Sequence, residues 1–320
     1  MKWLRGIYSF DYMGHKKWWF LLSAGIVCAG VLSLFIRGGG NPVNGLRYGL
    51  EFKTGTRVTV SFDKPWTLAE VRSVVGGQGV TTAVIQETKS DSGARAVQIQ
   101  TDTLTPSQEQ KLRDALDARF TIASTPSGKA YASQSVGATF GRDVITASYK
   151  AVVLALLLIL IYVSIRFEWK FAIGAVAAEA HDLLVVVGVY SLVGREVTTA
   201  SIAAVLTILG YSLYDTVIVF DRIRENSPRM TRSRYGDMVN ISIWETLTRS
   251  INTTLTTLIP VLCLLIFGGA TLKDFAFALL VGIVSGAYSS IFVASPIATI
   301  LKEREPQYRK AIARSKEARV

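Results

Sequence analysis

Long apolar runs separated by short polar segments make up most of this 320-residue chain. A helix needs about 20 mainly apolar residues to cross the hydrocarbon core of a bilayer. Half of the residues are hydrophobic, and they are concentrated in these runs. Runs of suitable length lie at about 18–36, 148–165, 171–193, 198–220, 251–269 and 275–300. The pattern predicts a polytopic α-helical membrane protein with six transmembrane helices.

The polar segment 37–146, between the first and second runs, is long enough to fold outside the membrane. Apolar residues recur there with the period of two that is typical of strands, and then at helical spacing. The predicted order is strand 57–62, helix 67–75, strands 82–87 and 96–101 with a turn at 90–93, helix 106–120 and strand 121–124. This order predicts a small α+β ferredoxin-like (βαββαβ) domain, a fold that specifies no function by itself.

The formal net charge of +11 comes mainly from Lys and Arg residues beside the ends of the apolar runs. Loops rich in these residues lie on the cytosolic side of a membrane, which explains the charge without nucleic acid. The only Lys or Arg residues in the two short loops predicted on the other side are Arg195 and Lys273. Both termini are therefore predicted to be cytosolic, and the domain extracytoplasmic.

The predicted organisation is 1–36 for the N-terminus and helix 1, 37–146 for the domain, 147–301 for helices 2–6 with a cytosolic loop at 221–248, and 302–320 for a basic tail.

Ionisable side chains lie inside two predicted helices, where they are costly and therefore indicate function. Asp215 interrupts the apolar stretch 208–220, and Glu179, His181 and Asp182 lie near the middle of 171–193. Glu179 and Asp182 are three residues apart and share a helix face. Histidine changes charge close to neutral pH. These residues predict a proton route, although a hydrogen-bonded packing histidine is an alternative for His181.

The fifth predicted helix opens with a polar face formed by Arg249, Thr253, Thr256 and Thr257. The fourth and fifth helices run in opposite directions, so Asp215 and Arg249 both lie toward the cytosolic side. A facing arginine stabilises an ionised carboxylate, whereas burial without it favours the protonated form. An arginine that moves away in one conformation would let Asp215 bind and release a proton in each cycle. A fixed structural ion pair is the alternative, and the residue chemistry alone leaves both open.

Several longer motifs resemble the SecF members of the SecD/SecF protein-export family. They are FDYMG at 10–14, GYS at 210–212, DT at 215–216, VFDRIREN at 219–226, TLTRS at 246–250 and GAYSSIF at 286–292. The resemblance covers nearly the whole chain and implies half of a transporter of the resistance-nodulation-division superfamily. The family's proton-path carboxylate falls on Asp215 and its arginine on Arg249, which favours the moving pair over the fixed one.

The resemblance also implies a location, an energy source and partners. The location would be the bacterial cytoplasmic (inner) membrane, and the proton motive force would promote late-stage translocation of secreted proteins. The expected partners are SecD, the SecYEG translocon, unfolded preprotein and membrane lipid, with YajC and YidC as further candidates. The outer domain would contact the emerging chain. No enzymatic activity, metal or cofactor is expected.

Two positions inside the predicted helices depart from the family pattern. Tyr214 stands where the family usually has Asn, next to the predicted carboxylate, so it belongs to the supporting polar face. Glu179 stands where an apolar residue is usual. It either adds a titratable site or pairs with a neighbour.

Three other functions are alternatives. An intramembrane aspartyl protease would use Asp215 with Asp182, but the Gly-x-Gly-Asp segment of such proteases is missing from the sequence. A scaffold subunit would bind the translocon without transporting anything. Half of a small-molecule exporter of the same superfamily would carry a much larger outer domain than 37–146.

Overall fold

The computed structural model describes residues 10–80, 83–89, 94–125, 128–228, 234–306 and 308. The chain divides into two compact units. One is the outer unit, Tyr48–Ser148. The other, the membrane unit, contains the described residues up to Arg47 and those from Tyr149 onward.

Nine helices and eight strands are assigned within the described ranges. The helices are α1 (Lys16–Arg37), α2 (Leu68–Gly77), α3 (Pro106–Phe120), α4 (Ala138–Arg166), α5 (Trp169–Val193), α6 (Thr199–Asn226), α7 (Tyr235–Phe267), α8 (Ala270–Ser289) and α9 (Ser295–Glu303). A short 3₁₀ helix covers Pro42–Gly45, and a π-helical segment, Ser290–Ala294, joins α8 to α9. The strands are β1 (Arg47–Tyr48), β2 (Gly55–Val60), β3 (Val84–Lys89), β4 (Arg95–Thr101), β5 (Ser124–Thr125), β6 (Gly128–Lys129), β7 (Tyr131–Val136) and β8 (Glu196–Val197).

Six helical segments are long and apolar enough to cross a membrane, which confirms the predicted number. Five of them are α1, α4, α5, α6 and α7, and α8 continues through the π segment into α9 as the sixth. Helix α6 continues to Asn226 and α7 already begins at Tyr235, so most of the predicted cytosolic loop 221–248 is helical. Hydrogen bonds from Asn226 to Ser242 and Glu245 join these two polar helix ends, so both continue beyond their apolar runs.

Helix α8 lies at the centre of the membrane unit and packs against α5, α6 and α7. Its glycines permit a close approach to α6. A Cβ atom added at Gly282 would lie 2.2 Å from Cδ1 of Ile208, and one added at Gly286 would lie 2.9 Å from Cβ of Ser212. Small residues at four-residue spacing in membrane helices permit such close packing.

The outer unit contains a four-stranded antiparallel sheet in the order β3-β4-β2-β7. Val58, Ile99, Val71 and Leu112 belong to its core, which the sheet forms with α2 and α3. The prediction that 121–124 closes the sheet is wrong, because β7 lies beside β2. After α3 the chain turns at Thr121, which has a φ of 55°, and β5 pairs with β6 in a separate hairpin. The predicted turn at 90–93 lies outside the described residues.

A contact between two glycines determines how closely α1 and α5 pack. A Cβ atom added at Gly188 would lie 2.8 Å from the Cα atom of Gly30. We expect Gly188→Ala to destabilise the membrane unit by about 1–3 kcal/mol, because neither backbone can yield without separating the helices. Gly25→Ala is the matched control, since a Cβ there meets nothing within 4 Å. The measurement is the midpoint of thermal unfolding in detergent, and equal midpoints for the two variants would contradict the expectation.

Candidate functional site

Asp182 of α5 is almost completely buried, and its carboxylate accepts hydrogen bonds from three serine hydroxyls. Ser212 of α6 donates to Oδ2 over 2.8 Å, Ser285 of α8 donates to Oδ1 over 2.6 Å, and Ser289 of α8 donates to Oδ2 over 2.7 Å. Nδ1 of His181 lies 3.2 Å from Oδ1. These donors stabilise the ionised carboxylate and connect α5, α6 and α8.

Asp215 of α6 is also buried, but it has fewer donors. Ser250 of α7 donates to Oδ1 over 2.9 Å. Ser290 donates to Oδ2 at 3.5 Å, which is long for a hydroxyl donor. The Asp215 carboxylate therefore accepts fewer and weaker hydrogen bonds than the Asp182 carboxylate.

The end of α8 supplies a hydroxyl to each carboxylate. Ser289, its last residue, donates to Asp182, and Ser290, the first residue of the π segment, donates to Asp215. Single π-helical turns inside α-helices occur frequently at functional sites. A shift of this turn would therefore change the hydrogen bonding of both aspartates.

The structure does not bring the predicted pair Asp215 and Arg249 into direct contact. Arg249 is exposed on α7, and its Nη2 donates to Oη of Tyr214 over 2.8 Å. Among the described residues, no ion pair joins Arg249 to Asp215. The departure at Tyr214 thus has a visible role, because this side chain binds the arginine beside the carboxylate.

Glu179 and His181 face different surroundings although both lie on α5. Glu179 is completely buried, and neither of its carboxylate oxygens has a hydrogen-bond partner in the described part of the chain. His181 contacts Asp182 through Nδ1, while its buried Nε2 has no partner among the same residues. His181 belongs to the cluster around Asp182.

The three threonines of the predicted polar face do not reach either aspartate. Their hydroxyls donate to carbonyl oxygens of their own helix: Thr253 to Arg249 and Ser250, Thr256 to Asn252 and Thr253, and Thr257 to Thr253. Such bonds satisfy hydroxyls within a helix and often bend it. The three threonines therefore lie on one side of α7 and do not take part in the hydrogen bonds around Asp182 and Asp215.

The functional residues that sequence reasoning missed are the five serines Ser212, Ser250, Ser285, Ser289 and Ser290. The four-residue spacing of Ser285 and Ser289 is a sequence signal for these ligands, because residues four apart share a helix face. Serine is common in membrane helices for packing alone, so this spacing does not distinguish a carboxylate ligand from a packing residue.

Charged residues outside the apolar core hold α5 and α9 together at one end of the membrane unit. Nζ of Lys302 lies 2.5 Å from Oε2 of Glu168 and 3.1 Å from Oε1 of Glu305. Burial disfavours the ionised form of Glu305. The hydrogen bonds from Lys170 and Lys302 outweigh this and hold the pKa of Glu305 below its ordinary value. The cluster fixes the end of α9, and through it the π segment.

No group of three or more His, Cys, Asp or Glu side chains suited to a metal ion occurs in the described ranges. The polar cluster consists of carboxylates and hydroxyls that already bond to one another. Its chemistry suits the binding and release of a proton. Fold and site together define a multi-pass helical membrane protein with a buried carboxylate and serine cluster.

Comparison with known families specifies this class further. Residues 118–304 match the C-terminal family of the protein export membrane proteins SecD/SecF, and residues 42–65 match the SecD/SecF GG motif. The chain belongs to the SecD/SecF family. The resemblance found in the sequence motifs is thus confirmed.

Two relatives illustrate the extent of the similarity. The protein translocase subunit SecF of Mycobacterium tuberculosis is 40% identical over 316 residues, which cover 93% of this chain and 68% of that protein. The protein translocase subunit SecF of Petrotoga mobilis is 33% identical over 310 residues, which cover 95% of this chain and 99% of that protein. The similarity therefore extends over both units.

Solved structures of SecDF resemble this chain as well. The crystal structure of SecDF from Thermus thermophilus, a translocon-associated membrane protein, matches with a TM-score of 0.77 and 33% identity, covering 92% of this chain. A super-membrane-facing form of SecDF matches with a TM-score of 0.62 at the same identity. The chain covers 39% of the first SecDF chain and 40% of the second.

The serine bonds to Asp182 predict a stability effect that exposed hydroxyls do not share. We expect Ser289→Ala to destabilise the membrane unit by about 1.5–3 kcal/mol, because it removes a donor from a buried carboxylate. Thr256→Ala is the control, since its exposed hydroxyl bonds only to its own helix. Thermal unfolding in detergent measures both, and a Ser289→Ala midpoint equal to that of Thr256→Ala would show that the bond contributes nothing.

Proposed function

We propose that this chain is a SecF-like subunit of the Sec protein-export machinery. It acts with SecD and uses the proton motive force to promote late-stage translocation of secreted proteins. The observation that carries the proposal is a buried Asp215 whose potential cation, Arg249, is bound to Tyr214 instead. The proposed role is transport, in line with relatives that are named protein translocase subunits.

Proton coupling follows from the two positions open to Arg249. With Arg249 bound to Tyr214, the donors to Asp215 among the described residues are hydroxyl groups, and burial favours the protonated carboxyl group. When Arg249 moves to Asp215, its charge stabilises the carboxylate and the proton leaves. Alternation between these positions couples proton release to a movement of α7 against α6. Tyr214 provides the binding site for the arginine in the first position.

The exposed faces of α4 and α7 support a membrane partner of the SecD type. In the apolar 18-residue stretch of α4, only 6% of the residues are buried within this chain, and in that of α7 only 11% are buried. Arg249 lies on the exposed face of α7, where contact with lipid would be costly. A second, related half would cover Arg249 and complete a pseudo-symmetric unit. The large exposed apolar side chains of α7 include Ile251, Leu255, Ile259, Leu262 and Ile266.

The outer unit fits a ferredoxin-like domain on the extracytoplasmic side. Its sheet order β3-β4-β2-β7, with α2 between β2 and β3 and α3 after β4, is the arrangement expected for a split β-α-β motif. The fourth position is occupied by Tyr131–Val136. The unit would extend over about 37–146 and contact unfolded preprotein as it emerges.

The remaining partners and the location follow from the export role. The chain would lie in the bacterial cytoplasmic membrane with both termini in the cytosol, next to the SecYEG translocon and possible neighbours YajC and YidC. The distribution of Lys and Arg supports this orientation. No cofactor is required, because the proton gradient supplies the energy.

Export by inverted membranes tests the coupling. We expect Asp215→Asn and Arg249→Met, each assembled with SecD and the translocon, to abolish the part of preprotein export that depends on the proton gradient. Neither change should alter export without a gradient, because the carboxylate and the arginine act only in coupling. Asp221→Asn is the matched control, since this exposed aspartate of α6 pairs with Arg166 at 3.4 Å.

Two outcomes would overturn the proposal in different ways. Unchanged gradient-dependent export in Asp215→Asn would make the charges structural and the chain a scaffold. Loss of complex assembly in that variant would be followed by a test of Asp215→Glu, which retains the carboxyl group. Failure of Asp215→Glu to restore any gradient-dependent export would also count against proton binding at this position.

A further inference from the structure

We propose that the edge strand β3 of the outer unit binds an extended segment of unfolded polypeptide as an additional β-strand. This inference deepens the proposed contact with emerging preprotein and rests on that proposed function for its purpose. Its structural core, strand addition at β3, can be tested by binding alone. The argument depends on the outer edge of the sheet and on the cavity beside it.

Strand β3 lies at one edge of the four-stranded sheet. In the described part of the chain its ladder partner is β4, and the register runs from Val84 opposite Gln100 to Lys89 opposite Arg95. An antiparallel strand directs alternate pairs of N–H and C=O groups away from its partner. The outer edge of β3 therefore presents a row of backbone donors and acceptors that a second extended backbone can pair with in register.

Strand β3 has few of the features that prevent pairing at the edges of natural sheets, which are charged side chains, prolines and bulges. It pairs with β4 over six consecutive residues without a bulge, and none of the six is proline. Its Glu87 is held by Arg95 of β4, with Nε 2.5 Å from Oε1 and Nη2 3.1 Å from Oε2. Lys89 is the last residue of the strand and protects only that end. The rest of the edge is therefore open to a partner strand.

A cavity of about 560 Å³ lies beside β3, between α2, the turn after α2 and the start of the strand. Its volume is within the range of about 300–1,000 Å³ that is typical of ligand sites. Val84 is 54% exposed there although it is apolar. Successive side chains of a strand point to opposite faces of the sheet, so an added strand would direct every second side chain toward α2 and the cavity. The lining residues include Arg72, Val75, Gly76, Val80, Val84 and Gln86.

Backbone pairing beside a mixed cavity fits a partner whose sequence varies. In strand addition, main-chain hydrogen bonds supply the affinity, and pockets for alternate side chains supply the selectivity. This cavity offers valine side chains together with Arg72 and Gln86, so it accepts both apolar and polar side chains. Most backbone groups of a folded protein are already paired internally, whereas those of an unfolded chain are available. The occupant is therefore unfolded polypeptide rather than a folded protein.

Amide hydrogen exchange of the purified full-length chain in detergent tests the binding mode. The probe is reduced and alkylated α-lactalbumin, which stays unfolded, and mass spectrometry follows the exchange. We expect the probe to slow exchange in the segment that contains β3, because its outward N–H groups become hydrogen-bonded. Strand β7, at the opposite edge of the same sheet, is the internal control and should keep its rate. Unchanged exchange in β3, or equal slowing in β7, would overturn the proposal.

A side chain that fills the cavity tests whether the partner enters it. Gly76 lines the cavity and its neighbour Gly77 does not, and a Cβ atom added at either position meets nothing within 4 Å. We expect Gly76→Trp to weaken binding of the probe about tenfold, because the indole ring excludes the partner's side chains and costs one or two backbone hydrogen bonds. Gly77→Trp is the matched control and should bind normally. Fluorescence anisotropy of the labelled probe measures both, and equal dissociation constants would overturn the proposal.

A different occupant of the edge is an outcome of the same exchange experiment. The chain is also measured after assembly with SecD and without the probe. We expect β3 to exchange as it does in the isolated chain. Slower exchange of β3 in that assembly would make the strand a subunit interface, and the proposal would be wrong.

The binding results are independent of proton coupling, because they require no membrane potential. Asp215→Asn should bind the probe as the native chain does. If Asp215→Asn exported normally, proton-driven export would be wrong while strand addition at β3 would stand. If Asp215→Asn abolished coupling but Gly76→Trp bound the probe normally, export coupling would stand and strand addition would be wrong.

Discussion

The membrane unit is organised by the need to supply hydrogen-bond donors to carboxylates that lie away from water. Asp182 obtains them from serines on α6 and α8, and Asp215 obtains them from Ser250 of α7 and from Ser290 after α8. A buried carboxylate without donors would be costly, so these bonds fix how the four helices face one another. The glycines of α8 allow the approach that the short serine side chains require.

The two aspartates differ in how completely their carboxylates are hydrogen-bonded, and this difference suits them to different roles. Asp182 is enclosed by its donors and joins α5 to its neighbours. Asp215 has one good donor and one long contact, and it lies beside a cation that is bound to Tyr214. An incompletely satisfied carboxylate next to a movable charge is suited to exchange. A fully satisfied carboxylate is suited to hold the surrounding helices in place.

The sequence predicted those features that depend on local composition. The six helices follow from apolar runs, and Asp182, Asp215 and Arg249 are conspicuous because charge is rare in such runs. The start of α7 was missed because its first turns are polar and are stabilised by contacts with α6. The edge strand was missed because two segments after α3 both resemble strands, and only tertiary pairing selects Tyr131–Val136. The serine ligands were missed because a hydroxyl shows its partner only in three dimensions.

Neutral hydroxyls as ligands have an energetic consequence for the proposed proton-driven cycle. Separating a buried ion pair leaves a charge uncompensated and costs about 3–5 kcal/mol. A hydrogen bond from a neutral donor to a charged group contributes only about 1.5–3 kcal/mol. One elementary charge crossing a membrane potential of 100 mV releases about 2.3 kcal/mol. In the proposed cycle, serines around Asp182 and Asp215 would therefore keep the cost of each rearrangement on the scale of a single translocated charge, so the bundle would be both stable and reversible.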